Sequence, residues 1–139
     1  MKKFILTTLF CILSLTTVFA ANDIYGSYWN GNRNYPIING RMGTGWYLDK
    51  SSIVILKNDP DGLAFAENII TVNVKTQAFS TSTVWLYKPS TSYNTAYIKY
   101  NKEDSWNKLD LSNTAGYNLF ARNAFFAGWE AITGYPYHL

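Results

Sequence analysis

The 139-residue chain holds a single cysteine and a single histidine. Both sit where they can do little: Cys11 lies within an apolar N-terminal stretch, and His138 is the penultimate residue. A Ser-His or Cys-His nucleophile pair would have to use a chain end, where order is hardest to keep, and zinc would lack the soft ligands it takes. Charge is scarce too. Only 15% of residues are charged, against about 25% in ordinary globular domains, and Lys2 and Lys3 supply most of the formal +3. Without them the chain is near neutral and has no basic cluster, so nucleic acid and acidic membranes are disfavoured as partners. No apolar run reaches the roughly 20 residues that a spanning helix needs.

The first residues, "MKKFILTTLFCILSLTTVFAAND", have the three parts of a secretory signal peptide: lysines, an apolar stretch from Phe4 to Leu15, and small residues leading to Ala20. Cleavage is expected after Ala20, making residues 1–20 the signal and leaving no stable membrane anchor. Phe10 before Cys11 does not fit a lipoprotein box. The expected location is exported: periplasm, cell surface or secreted. Beyond Ala20 the chain has no cysteine, so the fold must stand on packing although export would permit disulfides.

What the chain has in excess is aromatic surface: 5 Trp, 11 Tyr and 8 Phe. Tyr and Trp pair an apolar body with a polar tip and suit both half-buried strand faces and binding surfaces. Residues 21–45 form an Asn/Gly-rich arm with one short strand near Tyr35 to Ile38. Its rings, Tyr25, Tyr28, Trp29 and Tyr35, either dock on the domain or bind something. Residues 46–139 read as one domain. "WYLD" and "SIVILK" lead to the turn "NDPDG", "AENIITVNVKTQAF" returns with Ile70, Val72 and Val74 on one face, and "STVWLYK", "TAYIKY" and "SWNKLDL" follow. Turn signals about every ten residues indicate an antiparallel meander. The last stretch, "TAGYNLFARNAFFAGWEAITG", has helical spacing, with Phe120, Ala121, Ala124, Phe125, Ala127, Gly128, Ala131 and Ile132 on one side. Thr114 is the expected N-cap, and Gly134 with Pro136 the stop. The fold class is therefore α+β, an antiparallel β-sheet meander of about five strands with one C-terminal α-helix packed on one face.

Few residues suggest chemistry. In "WYLDKSSIVIL" Lys50 beside Ser51 or Ser52 invites a Ser-Lys dyad, but neighbours in a strand point to opposite faces. A bulge or Asx-type turn at Asp49 to Ser52 explains the break, and would let Trp46 and Leu48 share a core with Val54 and Leu56. "NDPDG" offers oxygens for calcium, yet Ile69 stands where an EF-type loop needs Glu, so a hairpin turn is the better reading. Asp49, Glu67, Asp104 and Glu130 are the candidate carboxylates of a glycan hydrolase, and no spacing singles out a pair. No catalytic residue, metal ligand or cofactor is assigned. Phe126 and Trp129 fall toward Arg122 and Glu130 on the helix, either as an exposed patch or with Arg122 stacked on Phe126 and the arm over Trp129.

"RMGTGWYLDKSSIVI", "NIITVNV", "VWLYKP", "AYIKY" with "WNKLDL", and "NAFFAGWEAITGYPY" together resemble a family of small, uncharacterised exported proteins of diderm bacteria, over about residues 41–137. More distantly they resemble the surface-adhesin protein E group. That resemblance implies an antiparallel sheet with a C-terminal helix, a surface location and binding of extracellular-matrix proteins; the cysteines that tie down the adhesin helix are absent here. The expectation is a non-enzymatic exported or envelope-associated domain that contacts a protein or glycan through an aromatic surface. The rivals are a glycan-active hydrolase, and a structural envelope protein or secreted inhibitor.

Overall fold

A computed structural model describes residues 24–139; the expected signal peptide and Cys11 lie outside the described residues. Six strands run in chain order across one antiparallel sheet: β1 Ile37–Arg41, β2 Thr44–Asp59, β3 Gly62–Asn73, β4 Ala78–Pro89, β5 Thr95–Lys99 and β6 Asn107–Asp110, followed by helix α1 Gly116–Thr133. The architecture is α+β, a meander bent into a half-barrel with the helix on its concave side. The strand beyond the expected five is β1, drawn from the arm.

The bend has a local cause. Asp49 pairs with Asn68 but Val54 pairs with Ala66, so β2 carries extra residues that β3 does not match. The Asp49 carboxylate accepts from the Ser51 amide at 3.0 Å and its hydroxyl at 2.6 Å, while Ser52 Oγ donates to the Asp49 carbonyl at 2.6 Å and accepts from the Asn68 amide at 2.8 Å. The polar trio thus satisfies the backbone groups that the broken ladder frees. It is a kink, with both serines occupied in holding it. The bulge also overturns one expectation: Leu48 is buried in the core, but Val54 and Leu56 are 56% and 52% exposed. Ile53 takes the inward position instead.

Phe65, Glu67 and Ile69 of β3 face the helix, with Trp85, Tyr87, Ile98, Leu109 and Leu111 beside them. Ala121, Ala124, Phe125 and Gly128 are the buried face of α1, whereas Ala131, placed on that stripe by periodicity, is exposed while its neighbour Ile132 packs on the core. Arg122 Nε donates to the Leu111 carbonyl at 2.8 Å and Asn123 Nδ2 to the Ile38 carbonyl at 3.1 Å. One turn of α1 therefore ties both edges of the half-barrel. The helix begins one residue later than expected, with Ala115 at the cap and no side-chain cap bond; Asn118 Nδ2 reaches back to the Asp110 and Asn113 carbonyls instead of Thr114 capping. It ends at Gly134 in the left-handed region, as Gly-Tyr-Pro suggested.

The β2–β3 reversal is tight. The Asp61 amide bonds Asp59 Oδ1 at 3.0 Å, and Gly62 has φ +126° with Pro89 carbons 2.7 Å from where a Cβ would stand. Gly62→Val meets both backbone strain and a clash and is expected to cost about 2–3 kcal/mol. An unchanged urea midpoint would contradict it.

Candidate functional site

The arm rings and the helix rings part company on opposite faces of the sheet. On the convex face Trp29, in a 3-10 turn, meets Tyr35 edge-on at 5.3 Å, and the two pack with Ile37 over Tyr47, Ile70 and Val72. The Tyr25 ring lies over Gly40, where any Cβ would collide with it, and its hydroxyl accepts from the Gly43 amide at 3.2 Å. The Tyr47 hydroxyl in turn donates to the Tyr25 carbonyl. An apolar second sheet face demands a cover, and these three arm rings are it. Tyr28 is the arm ring left more exposed.

On the other side, Arg122 stacks on Phe126 with its guanidinium carbon 4.7 Å from the ring centre. The remaining surface of Phe126 is covered by the C-terminal tail: Tyr137 lies parallel to it at 5.7 Å and edge-on to Trp129 at 5.0 Å. The tail, and not the arm, is what meets Trp129. Tyr137 is anchored by its hydroxyl, which donates to the Tyr93 carbonyl at 2.7 Å. Partial burial, and next the Tyr93 phenol nearby, hold the Tyr137 hydroxyl above its ordinary range, so it stays a neutral donor.

Between the tail, the end of α1 and the rim of the sheet opens a cleft of about 560 Å³. Phe125 and Trp129 form its floor, Tyr93, Tyr135 and Tyr137 its walls, and Leu63, Pro89 and Ala96 complete the apolar lining. Ser90, Thr91, Thr95, Thr133, Asp61 and His138 supply polar groups around it. The Thr133 hydroxyl donates to the Trp129 carbonyl at 2.9 Å and accepts from the Tyr135 amide at 3.2 Å, fixing the tail's departure from the helix. Tyr93 and Tyr135 are 82% and 74% exposed, so the lip of the cleft is aromatic and open to solvent. Of the six candidate binding rings read from sequence, only Trp129 lines this cleft. Tyr93, Tyr135 and Tyr137 were missed; "GYPYHL", two tyrosines around a proline in an otherwise unstructured end, was the available signal.

The candidate carboxylates do not converge. Asp49 is committed to the bulge, Asp104 lies in the β5–β6 connection, Glu130 is exposed on α1 and Glu67 is buried beneath it. Glu67 is 1% exposed and neither carboxyl oxygen has a hydrogen-bond partner. Burial pushes its carboxyl well above the usual range, keeping it protonated. Among the described residues no three His, Cys, Asp or Glu side chains come together in a way that could hold a metal ion. No helix among them is long and apolar enough to cross a membrane. No family model, curated protein or solved structure matches the chain.

Proposed function

We propose that this protein is an exported, non-enzymatic glycan-binding domain that holds its ligand in the cleft beside Trp129. The cleft itself carries the reading. Its volume is that of a small-molecule site, its lining includes aromatic rings that suit the apolar faces of sugar rings, and Ser90, Thr91 and Thr95 line it with hydroxyls able to hydrogen-bond those of a sugar. A protein partner would favour a broad face of about 800 Å² on each side, and this opening is narrow and concave. The resemblance read in the sequence to surface adhesins implies a location outside the cell and a role in attachment, with glycan rather than matrix protein proposed here as the contact. Hydrolysis is the weaker reading, since the carboxylates that would share the work lie on different sides of the molecule.

Tyr93 and Tyr135 are the rings to remove, because their exposure separates binding from stability. Screened on a glycan array, the protein is expected to retain a defined set of oligosaccharides without releasing products. Tyr93→Ala and Tyr135→Ala should each weaken the strongest interaction about tenfold, equivalent to about 1.4 kcal/mol, with thermal midpoints close to the parent's. A silent array, or variants that bind as the parent does, would refute the cleft; shortened sugars in the reaction would refute the non-enzymatic part.

A further inference from the structure

The aromatic cleft does not end at the sheet rim. Asp61, Pro89, Ser90 and Thr91 line it and also line a second, shallower groove of about 920 Å³ on the convex face. The two are thus continuous over the edge formed by the β2–β3 turn and the end of β4. The chemistry changes across that edge. In the outer groove Lys88 Nζ stands 4.8 Å from the Trp106 ring centre and 5.1 Å from that of Tyr97; Lys99, beside the groove, has its Nζ 4.9 Å from Trp106. Cross-strand pairing of Lys88 with Tyr97, and of Leu86 with Lys99, fixes this arrangement on the convex face.

Three ammonium groups border the groove, and they are not equivalent. Lys57 is committed to Asp59 at 2.9 Å and Asp61 at 3.4 Å. Among the described residues neither Lys88 nor Lys99 has a carboxylate within ion-pair distance. Two cations 4.8 and 4.9 Å from one indole ring centre, with no carboxylate paired to either, leave a positive spot beside an aromatic ring. Among the described residues this is the one place where two basic groups gather on one aromatic ring without acidic partners.

We infer that the outer groove is a second subsite of the same glycan site, taking an anionic sugar residue while the inner cleft takes a neutral one. The ligand is then an extended acidic oligosaccharide laid over the rim, with Trp106 and Tyr97 under the charged ring and Lys88 and Lys99 beside its carboxylate or sulfate. Lysine acts here as a point charge and does not select among these anions, so the experiment must. This inference rests on the cleft reading and extends it.

Binding is measured with uronic-acid oligosaccharides and their carboxyl-reduced counterparts, and with sulfated oligosaccharides and their desulfated counterparts, for the parent and for a Lys88→Gln, Lys99→Gln double variant. The parent should bind at least one charged form about tenfold tighter than its neutral counterpart, with the preference shrinking as salt is raised from 50 to about 300 mM. The double variant should lose that preference and keep the parent's affinity for the neutral form. Which pair shows the preference identifies the anion. Equal binding of charged and neutral forms by the parent, or a preference that survives in the variant, overturns the outer subsite and leaves the cleft standing. No binding of any of the four probe classes overturns both.

Discussion

A Gly128→Leu chain is expected not to fold. A Cβ at position 128 would collide with Glu67 Oε2 and stand 2.6 Å from Phe65 Cε2, and both of those side chains are buried. The larger side chain would lift α1 from β3 and undo the cover over Phe65 and Tyr87, a loss comparable with the whole stability of a domain this size, about 5–15 kcal/mol. Gly128→Ala is the graded version. Alanine raises helix propensity by about 1 kcal/mol over glycine, yet its methyl meets the same wall, so a net loss of about 2–3 kcal/mol is expected. Combining it with Glu67→Ala removes the nearer of the two obstructions and leaves Phe65, so the double variant should recover part of that loss, a positive coupling readable from urea unfolding. Additive costs would show that the helix does not press on Glu67.

Glu67 also dictates how stability responds to pH. In the folded protein burial raises its pKa well above the ordinary carboxylate range; in the unfolded chain it is expected near about 4.3. Between those two values only the folded state keeps the proton, so stability is fully present below about pH 4.3 and falls as pH rises toward the folded value, at about 1.4 kcal/mol per pH unit. Asp59 and Asp110, both exposed, are shifted the other way, Asp59 first by its bond to Lys57 and Asp110 first by its bond to the Ser112 hydroxyl. Their contribution is lost only as pH falls through lower values, outside that window. Urea midpoints measured from pH 4.5 to 8 should therefore decline in the parent and be much flatter in Glu67→Gln. Glu67→Met, which replaces an unpartnered carboxyl by an apolar chain of similar length, should be more stable than the parent at pH 7. A flat parent profile would mean the carboxyl reaches water.

The meander and its helix were legible because each element carried its own period: alternation in Ile70, Val72 and Val74, helical spacing from Ala121 to Gly128, and a stop at Gly134. The bulge was legible too, since Asp49, Ser51 and Ser52 are the residues that satisfy a freed backbone locally. Strand β1 was blurred because its turn hides its signal. Met42 and Gly43 both take positive φ, 51° and 80°, which a two-residue hairpin requires, but methionine is not the Asn or Asp that announces such a turn. Val54 and Leu56 were misplaced for the converse reason, as inserted residues change which side a strand presents and periodicity alone does not count them. The candidate site was read in halves. Trp129 stood out on the helix, while Tyr93 and Tyr137 meet only through a contact spanning 44 positions, and no local pattern encodes that. Lys88, Lys99 and Trp106 likewise belong to three separate segments joined by strand pairing.

The ordering of the fold along the chain has a kinetic meaning. Every strand pairs with its immediate neighbour in sequence, so the sheet is made of short-range hairpins that form early and cheaply in entropy. The concave side is different: Phe65, Ile69 and Tyr87 wait for Ala121 to Gly128, which follow all six strands in the chain. Until that segment is available, the nascent sheet presents a sticky aliphatic and aromatic surface and cannot lock. Completion is thus deferred until the helix has been made, and a product cut short before it would be a magnet for chaperones and proteases instead of a smaller working protein.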